Sequence, residues 1–275
     1  MEHIETGSFT SSDVTDGPPA FRVVSWNIAR GSKLSAVIEF LATADADIIF
    51  LQEADRNVRR TNYWNVAKEI AQKLKMNYVF GCEFEELAEG TRASPAYHGQ
   101  ATLSRWPLSD CSILRFHSQS NFWQPRWFIP NLRPLQRRRG GRMALLGKLS
   151  LPGRNLATYN LHCESKGSDG LRYSQLHEFL QHANDDSRDV AVLAAGDFNF
   201  GLSRGKAAAA LAKVGFVNPF ATLDEATTIS HAVSARDRII DWILLRGPLT
   251  GTNPQVHNSV LASDHFPLSL TIGFS

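Results

Sequence analysis

Gly196-Asp-Phe-Asn199 closes an apolar run that begins at Val190, and it sets a carboxylate and a carboxamide two residues apart. On a continuing strand both side chains point to one side, where Asp197 can take a proton while Asn199 holds an oxygen. Gly, Asp and Asn are also ordinary turn residues, so taken alone the segment could be a strand end and nothing more. Other strand ends repeat the pattern. Asn27 follows Phe21-Arg-Val-Val-Ser-Trp26, Glu53 follows Ile48-Ile-Phe-Leu51, and Asn160 and His162 close the run from Asn155. Asp241 lies inside the apolar run Arg238 to Leu245, where a buried acid needs a partner, and Asp264 and His265 precede the last run, Pro267 to Ile272. Acids, amides and two histidines brought together could move a proton and donate hydrogen bonds to a charged oxygen.

The elements that must carry these residues read as strands alternating with a few helices. Tyr78 to Phe80, Gly99 to Ser104, Cys111 to Phe116 and Arg142 to Leu151 have further strand composition. Leu34, Val37, Ile38 and Leu41 mark one helix face, and Val66, Ile70 and Leu74 a second. Leu176, Phe179, Leu180 and Ala183 mark a third, and an alanine-rich helix spans Lys206 to Lys213, stopping near Gly215. The composition places α and β layers against one another, with more strand than a doubly wound fold needs. Residues 1–20 are polar and end in Pro18-Pro19, which predicts a disordered arm before a single domain over 21–275.

The chain has 275 residues, 43% hydrophobic and 20% charged, ordinary values for a soluble enzyme with one large core. Its formal net charge is only +2, but the charges are uneven: Glu83, Glu85, Glu86 and Glu89 crowd one stretch, and none of the residues between Asp110 and Glu164 is acidic. Within that interval the loop His117 to Gly141 carries Arg126, Arg133, Arg137, Arg138 and Arg139 with Phe122, Trp123, Trp127 and Phe128, which predicts a basic face. Cys82, Cys111 and Cys163 are too few and too far apart for a disulfide framework or a zinc site. Reduced thiols and no membrane-spanning run lead us to expect a cytoplasmic protein.

Seven segments, in order, resemble the motifs of the endonuclease/exonuclease/phosphatase superfamily, the DNase I-like phosphoesterases. They are Ser25-Trp-Asn-Ile28, Leu51-Gln-Glu53, Ala101-Thr-Leu-Ser-Arg-Trp-Pro107, Asn160-Leu-His162, Gly196-Asp-Phe-Asn199, Ile240-Asp-Trp-Ile243 and Ser263-Asp-His265. The resemblance implies a four-layered α/β sandwich, two mixed β-sheets packed face to face with helices outside and the site at one rim. It implies metal-assisted hydrolysis of a phosphoester by in-line attack of water. Glu53 would hold Mg²⁺, with Mn²⁺ as a substitute and with Asn27 and Asp264 beside it. Asp197 would orient or deprotonate the water and Asn199 would steady it. His265, fixed by Asp241, and His162 would donate to phosphate oxygens, and Asn160 would hold substrate or nearby backbone. Ala29 and His162 stand where abasic-site endonucleases carry Asp and Tyr, so the resemblance points to the DNase, sphingomyelinase, phosphatase and deadenylase branches.

Substrate is less legible. Arg126, Arg137, Arg138, Arg139 and Trp127 suit a nucleic acid, with cations on phosphates and rings on bases, and the first expectation is a nuclease or phosphodiesterase. The same residues suit a membrane surface, so a phospholipid headgroup or small phosphorylated metabolite is the alternative. A binding module that keeps the fold without catalysis is a third reading.

Overall fold

The computed structural model describes residues 2–10, 20–130, 132–151, 154–185, 190–229 and 238–275. In chain order the elements are β1 (Ile4–Ser8), β2 (Ala20–Arg30), α1 (Leu34–Ala44), β3 (Ile48–Arg56), α2 (Val66–Leu74), β4 (Asn77–Glu86), β5 (Tyr97–Ser104) and β6 (Leu108–Arg115). There follow β7 (Arg138–Gly140), β8 (Met143–Leu151), β9 (Arg154–His162), α3 (Asp169–Asp185), β10 (Ala191–Asp197), α4 (Gly205–Lys213), β11 (Asp241–Arg246), β12 (Leu249–Val256) and β13 (Leu268–Phe274).

The larger sheet runs β1-β4-β5-β3-β2-β13-β12 with β7 added on β4, and the smaller runs β11-β10-β9-β8-β6. Parallel pairs β2–β3 and β9–β10 among antiparallel neighbours make both sheets mixed. The period of two along β2 explains the layering. Phe21 and Val23 join the core shared with the smaller sheet, while Val24, Trp26 and Ile28 face the other way and meet Val37 and Leu41 of α1 and Ile70 of α2. The shared core continues through the smaller sheet to Leu176, Phe179 and Leu180 of α3 and Leu211 of α4. Two sheets back to back with helices on both outer faces give the expected α/β sandwich.

Three expectations change. Inside the arm expected to be disordered, Ile4–Ser8 form an edge strand on β4, held by backbone pairing and by Glu5, whose carboxylate takes Tyr78 Oη at 2.6 Å, Asn65 Nδ2 at 2.6 Å and Arg56 Nε at 2.5 Å. A single polar strand carries no apolar signal to read. β12 escapes notice for the same reason, since it is mostly polar and pairs only with β13. The long arginine loop is partly a strand, because Arg138 and Arg139 of β7 lie directly opposite Glu86 and Glu85 of β4.

The sheets are tied together across the core by Asn160. Its Nδ2 donates to the carbonyls of Leu51 at 3.1 Å and Ala101 at 2.9 Å, and its Oδ1 accepts from Gln52 Nε2 at 2.8 Å. Asn160→Ala would strand these buried groups, so we expect a loss of about 2–4 kcal/mol in urea unfolding. A loss below about 0.5 kcal/mol would show the tie to be dispensable.

Candidate active site

Strand register assembles half of the site. Asp197, the last residue of β10, pairs with His162 on β9 and with Asp241 on β11, so three polar side chains stand in one row across the smaller sheet. Gly196 makes the row possible: its φ is 146° and a Cβ there would lie 1.9 Å from the carbonyl oxygen of Leu161. Asn199 turns the chain at φ 58°, donates its backbone N–H to Asp197 Oδ1 at 2.9 Å, and sends Nδ2 to the Cys163 carbonyl at 3.1 Å. It fixes Asp197 through backbone as well as standing beside it.

The other half comes from the larger sheet. Asn27, at the inward-facing end of β2, donates Nδ2 to Asp197 Oδ2 at 3.1 Å and accepts the Ala29 N–H on Oδ1 at 3.1 Å. Its immediate partner is therefore the acid. On β3, Ile48, Phe50 and Gln52 point inward, and strict alternation would send Glu53 outward with Leu51. The pairing slips between Leu51 and Ala54 and Glu53 takes φ 57°, which breaks the alternation at this residue. Burial would raise the Glu53 pKa, but His98, His162, Arg142 and Arg30 around it outweigh burial and bring it down to about 2. Among the described residues nothing donates a hydrogen bond to this ionised, partly exposed carboxylate.

Two histidine–acid pairs flank Asp197. His265, delivered by the loop before β13 and anchored through its carbonyl to Trp26 Nε1 at 2.8 Å, meets Asp241 through Nδ1 at 3.0 Å and approaches Asp197 Oδ2 through Nε2 at 3.7 Å. Burial would lower its pKa, yet Asp241 and Asp197 outweigh burial and raise it to about 10. His162 meets Glu83 Oε2 through Nδ1 at 3.1 Å and approaches Asp197 Oδ2 through Nε2 at 3.6 Å. Glu83 stays ionised because Arg142 and His162 outweigh its burial, and Arg142 Nη1 lies 2.9 Å from the same His162 Nδ1.

Asp197, Asp241 and His265 offer ligand atoms within 4.8 Å of one another, as a metal site would. However, Asp241 Oδ2 already accepts Thr227 Oγ1 at 2.7 Å, and an imidazolium has no lone pair to give, so in this trio His265 is hydrogen-bonded to Asp241 and ion-paired with Asp197 at 3.7 Å. Glu53 instead offers ionised oxygens that no described residue claims, the kind of hard donor a divalent cation takes.

His265 gives a pH signature. A folded pKa raised from 6.5 to about 10 contributes stability fully present below pH 6.5 and lost as pH rises through 10. The wild-type unfolding free energy should therefore decline across that window more steeply than that of His265→Gln. Parallel curves for the two proteins would contradict the pairing.

Residues 24–265 match the family model of the Endonuclease/Exonuclease/phosphatase family, which covers most of the chain and every strand of the site. The chain belongs to the endonuclease/exonuclease/phosphatase family. An inositol phosphosphingolipids phospholipase C of Schizosaccharomyces pombe is 28% identical over 204 residues, 66% of this chain but 41% of that protein, so the chain spans under half of this relative's length. Among solved structures, an endonuclease/exonuclease/phosphatase from Beutenbergia cavernae superposes with TM-score 0.65 at 15% identity, covering 93% of this chain and 72% of that one. A humanized D. rerio TDP2 does so at 0.61 and 18%, covering 93% and 100%. At these identities the two structures speak to the fold.

In this endonuclease/exonuclease/phosphatase family member, Asn27, His162, Asp197, Asn199, Asp241 and His265 are brought together around Asp197, with Glu53 within electrostatic reach of His162. Asn160 does not serve substrate, because it is fully buried and all its bonds run between the sheets. Asp264 is exposed at the outer edge, accepting Ser263 Oγ at 3.3 Å. The basic face is largely cancelled. Arg138 pairs with Glu86 at 2.5 Å and Arg139 with Glu85 at 2.7 Å, while Arg126, Arg137 and Trp127 remain exposed. The acidic stretch and the arginine loop, far apart in sequence, fold into neighbours.

Glu83, Arg142 and His98 were not anticipated. Glu83 reads in sequence as surface charge, although its alternation with Cys82 and Phe84 is the signature of a strand with a polar inner face. Cys163, next to His162, is no nucleophile: burial and Asp197 push its thiol pKa far up.

Proposed function

We propose that this family member is a divalent-metal-dependent phosphodiesterase. The observation that carries the reading is the surroundings of Asp197 Oδ2, where Asn27 Nδ2 and the Nε2 atoms of His162 and His265 converge within 3.7 Å, with the unclaimed carboxylate of Glu53 in electrostatic reach of His162. A divalent cation on Glu53 would supply Lewis-acid stabilisation of a phosphoryl oxygen. Asp197 takes a proton from the attacking water, whose oxygen bonds to phosphorus as the ester P–O bond opposite breaks. Asn27 and the backbone N–H of Asn199 hold that carboxylate in place. His265, charged at neutral pH, donates to a non-bridging oxygen as negative charge gathers there, and can return a proton to the departing alkoxide. His162 places its Nε2 on the other side of Asp197 Oδ2, at 3.6 Å.

A panel of phosphodiesters and phosphomonoesters with Mg²⁺ and Mn²⁺, against metal-free controls, tests this reading. Turnover of a diester in Mg²⁺ and none in EDTA is the expected result. No turnover of any ester would leave a binding module of the same fold. The nuclease expectation loses ground to the lipid-headgroup alternative, because two of the arginines it rests on are ion-paired to carboxylates. The similarity to a phospholipase C acting on inositol phosphosphingolipids supports the same shift.

A further inference from the structure

We infer that the loop from Phe122 to Arg137 is a docking surface for an anionic phospholipid bilayer. Trp127 is 94% exposed, Phe128 60%, Leu132 60% and Leu135 50%, and Phe122 is also exposed. Large apolar side chains clustered on a single loop cost free energy in water unless something covers them. The neighbouring Trp123 shows what a structural aromatic on this loop does. It donates Nε1 to Glu164 at 2.7 Å and lies beneath the guanidinium groups of Arg138 and Arg142, 4.9 Å and 5.5 Å from its centroid. Among the described residues, the ring partner of Trp127 is Phe128, edge-on at 5.8 Å.

Charge identifies the occupant. Arg133, Arg138 and Arg139 are bound to Glu85 and Glu86. Arg126 and Arg137 on this loop have no carboxylate within ion-pair distance among the described residues. With Phe122, Trp123 and Leu135 they line a cleft of about 440 Å³, in which Glu86 and Glu89 are ion-paired to Arg60, Arg138 and Arg59. Arg30, also in the lining, acts electrostatically on Glu53, so the cleft adjoins the active site. A single-stranded nucleic acid needs a row of free cations and flat rings for its bases. Here two exposed leucines accompany the rings, and the free cations are few and flank an apolar tip. Trp, Phe and Leu entering the acyl boundary with Arg at the phosphates is the arrangement of an interfacial anchor. On the phosphodiesterase reading, the same surface would present a headgroup to the rim, but docking itself needs no catalysis.

The test is sedimentation of the whole chain with vesicles of phosphatidylcholine, alone or mixed with phosphatidylserine, in EDTA so that turnover plays no part. We expect binding to the mixed vesicles, weakened roughly tenfold or more by Trp127→Ser with Phe128→Ser. Arg126→Ala with Arg137→Ala should remove most of the preference for phosphatidylserine, again roughly tenfold. All four side chains are exposed, so the variants should fold. Wild-type protein left in the supernatant would overturn the inference, as would binding unchanged in the aromatic variant. Binding of a single-stranded oligonucleotide, lost in the aromatic variant while vesicles are ignored, would overturn it in favour of a nucleic-acid platform. Vesicle binding without turnover of any ester would sink the phosphodiesterase reading alone, and turnover without vesicle binding would sink this inference alone.

Discussion

Asp197→Asn is expected to lower kcat for a phosphodiester about 10³-fold or more, with little change in KM, because a carboxamide cannot take the proton of the attacking water. The substitution is nearly isosteric, and the Asn199 N–H that now meets Oδ1 at 2.9 Å can still find an oxygen there. Folding should survive, which circular dichroism and urea unfolding would confirm. A variant that keeps kcat within tenfold of wild type would remove Asp197 from the chemistry. If KM rose while kcat held, the acid would be a substrate contact that acts equally in ground and transition states.

His265→Gln should lower kcat about 10²- to 10³-fold by removing a charged donor aimed at the developing oxyanion. The effect belongs to the pair. Asp241→Asn leaves the imidazole in place but takes away the carboxylate that outweighs burial, so the His265 pKa should fall from about 10. In that variant activity should decline on the alkaline side at a lower pH than in wild type, with a smaller loss at acidic pH where the imidazole is still protonated. NMR titration of the His265 ring reads the same shift without turnover. An unshifted ring would mean that Asp197, the second anion near it, holds the charge by itself.

Much of this rim was visible in the sequence, because the apolar runs there give way to, or begin at, residue types that a core does not need. Asn27, Glu53, His162, Asp197, Asn199, Asp241 and His265 could all be named from strand ends and motif order. What one sequence conceals is which partner a side chain faces across a gap between sheets. Asn160 sits two residues before His162 and looks equally suited to substrate, but it points into the core and holds both sheets. Glu83 fails in the opposite direction: it stands in an acidic run that reads as solvated, while β4 buries it against His162 and Arg142. The bulge that aims Glu53 leaves no trace in composition either. Net charge was informative only at whole-chain level, since Arg133, Arg138 and Arg139 pair with Glu85 and Glu86 beside β4 and β7.

Metal titration of wild-type protein beside Glu53→Gln tests whether a cation site and a phosphoryl site share one rim. Both proteins are stripped with EDTA and assayed on a generic phosphodiester as Mg²⁺ is added back. We predict no turnover before addition, full recovery in the wild type, and a half-saturating Mg²⁺ concentration raised at least about tenfold in the variant, which has lost the carboxylate proposed to hold the metal. Turnover that persists in EDTA, or identical Mg²⁺ curves for the two proteins, would contradict a shared rim.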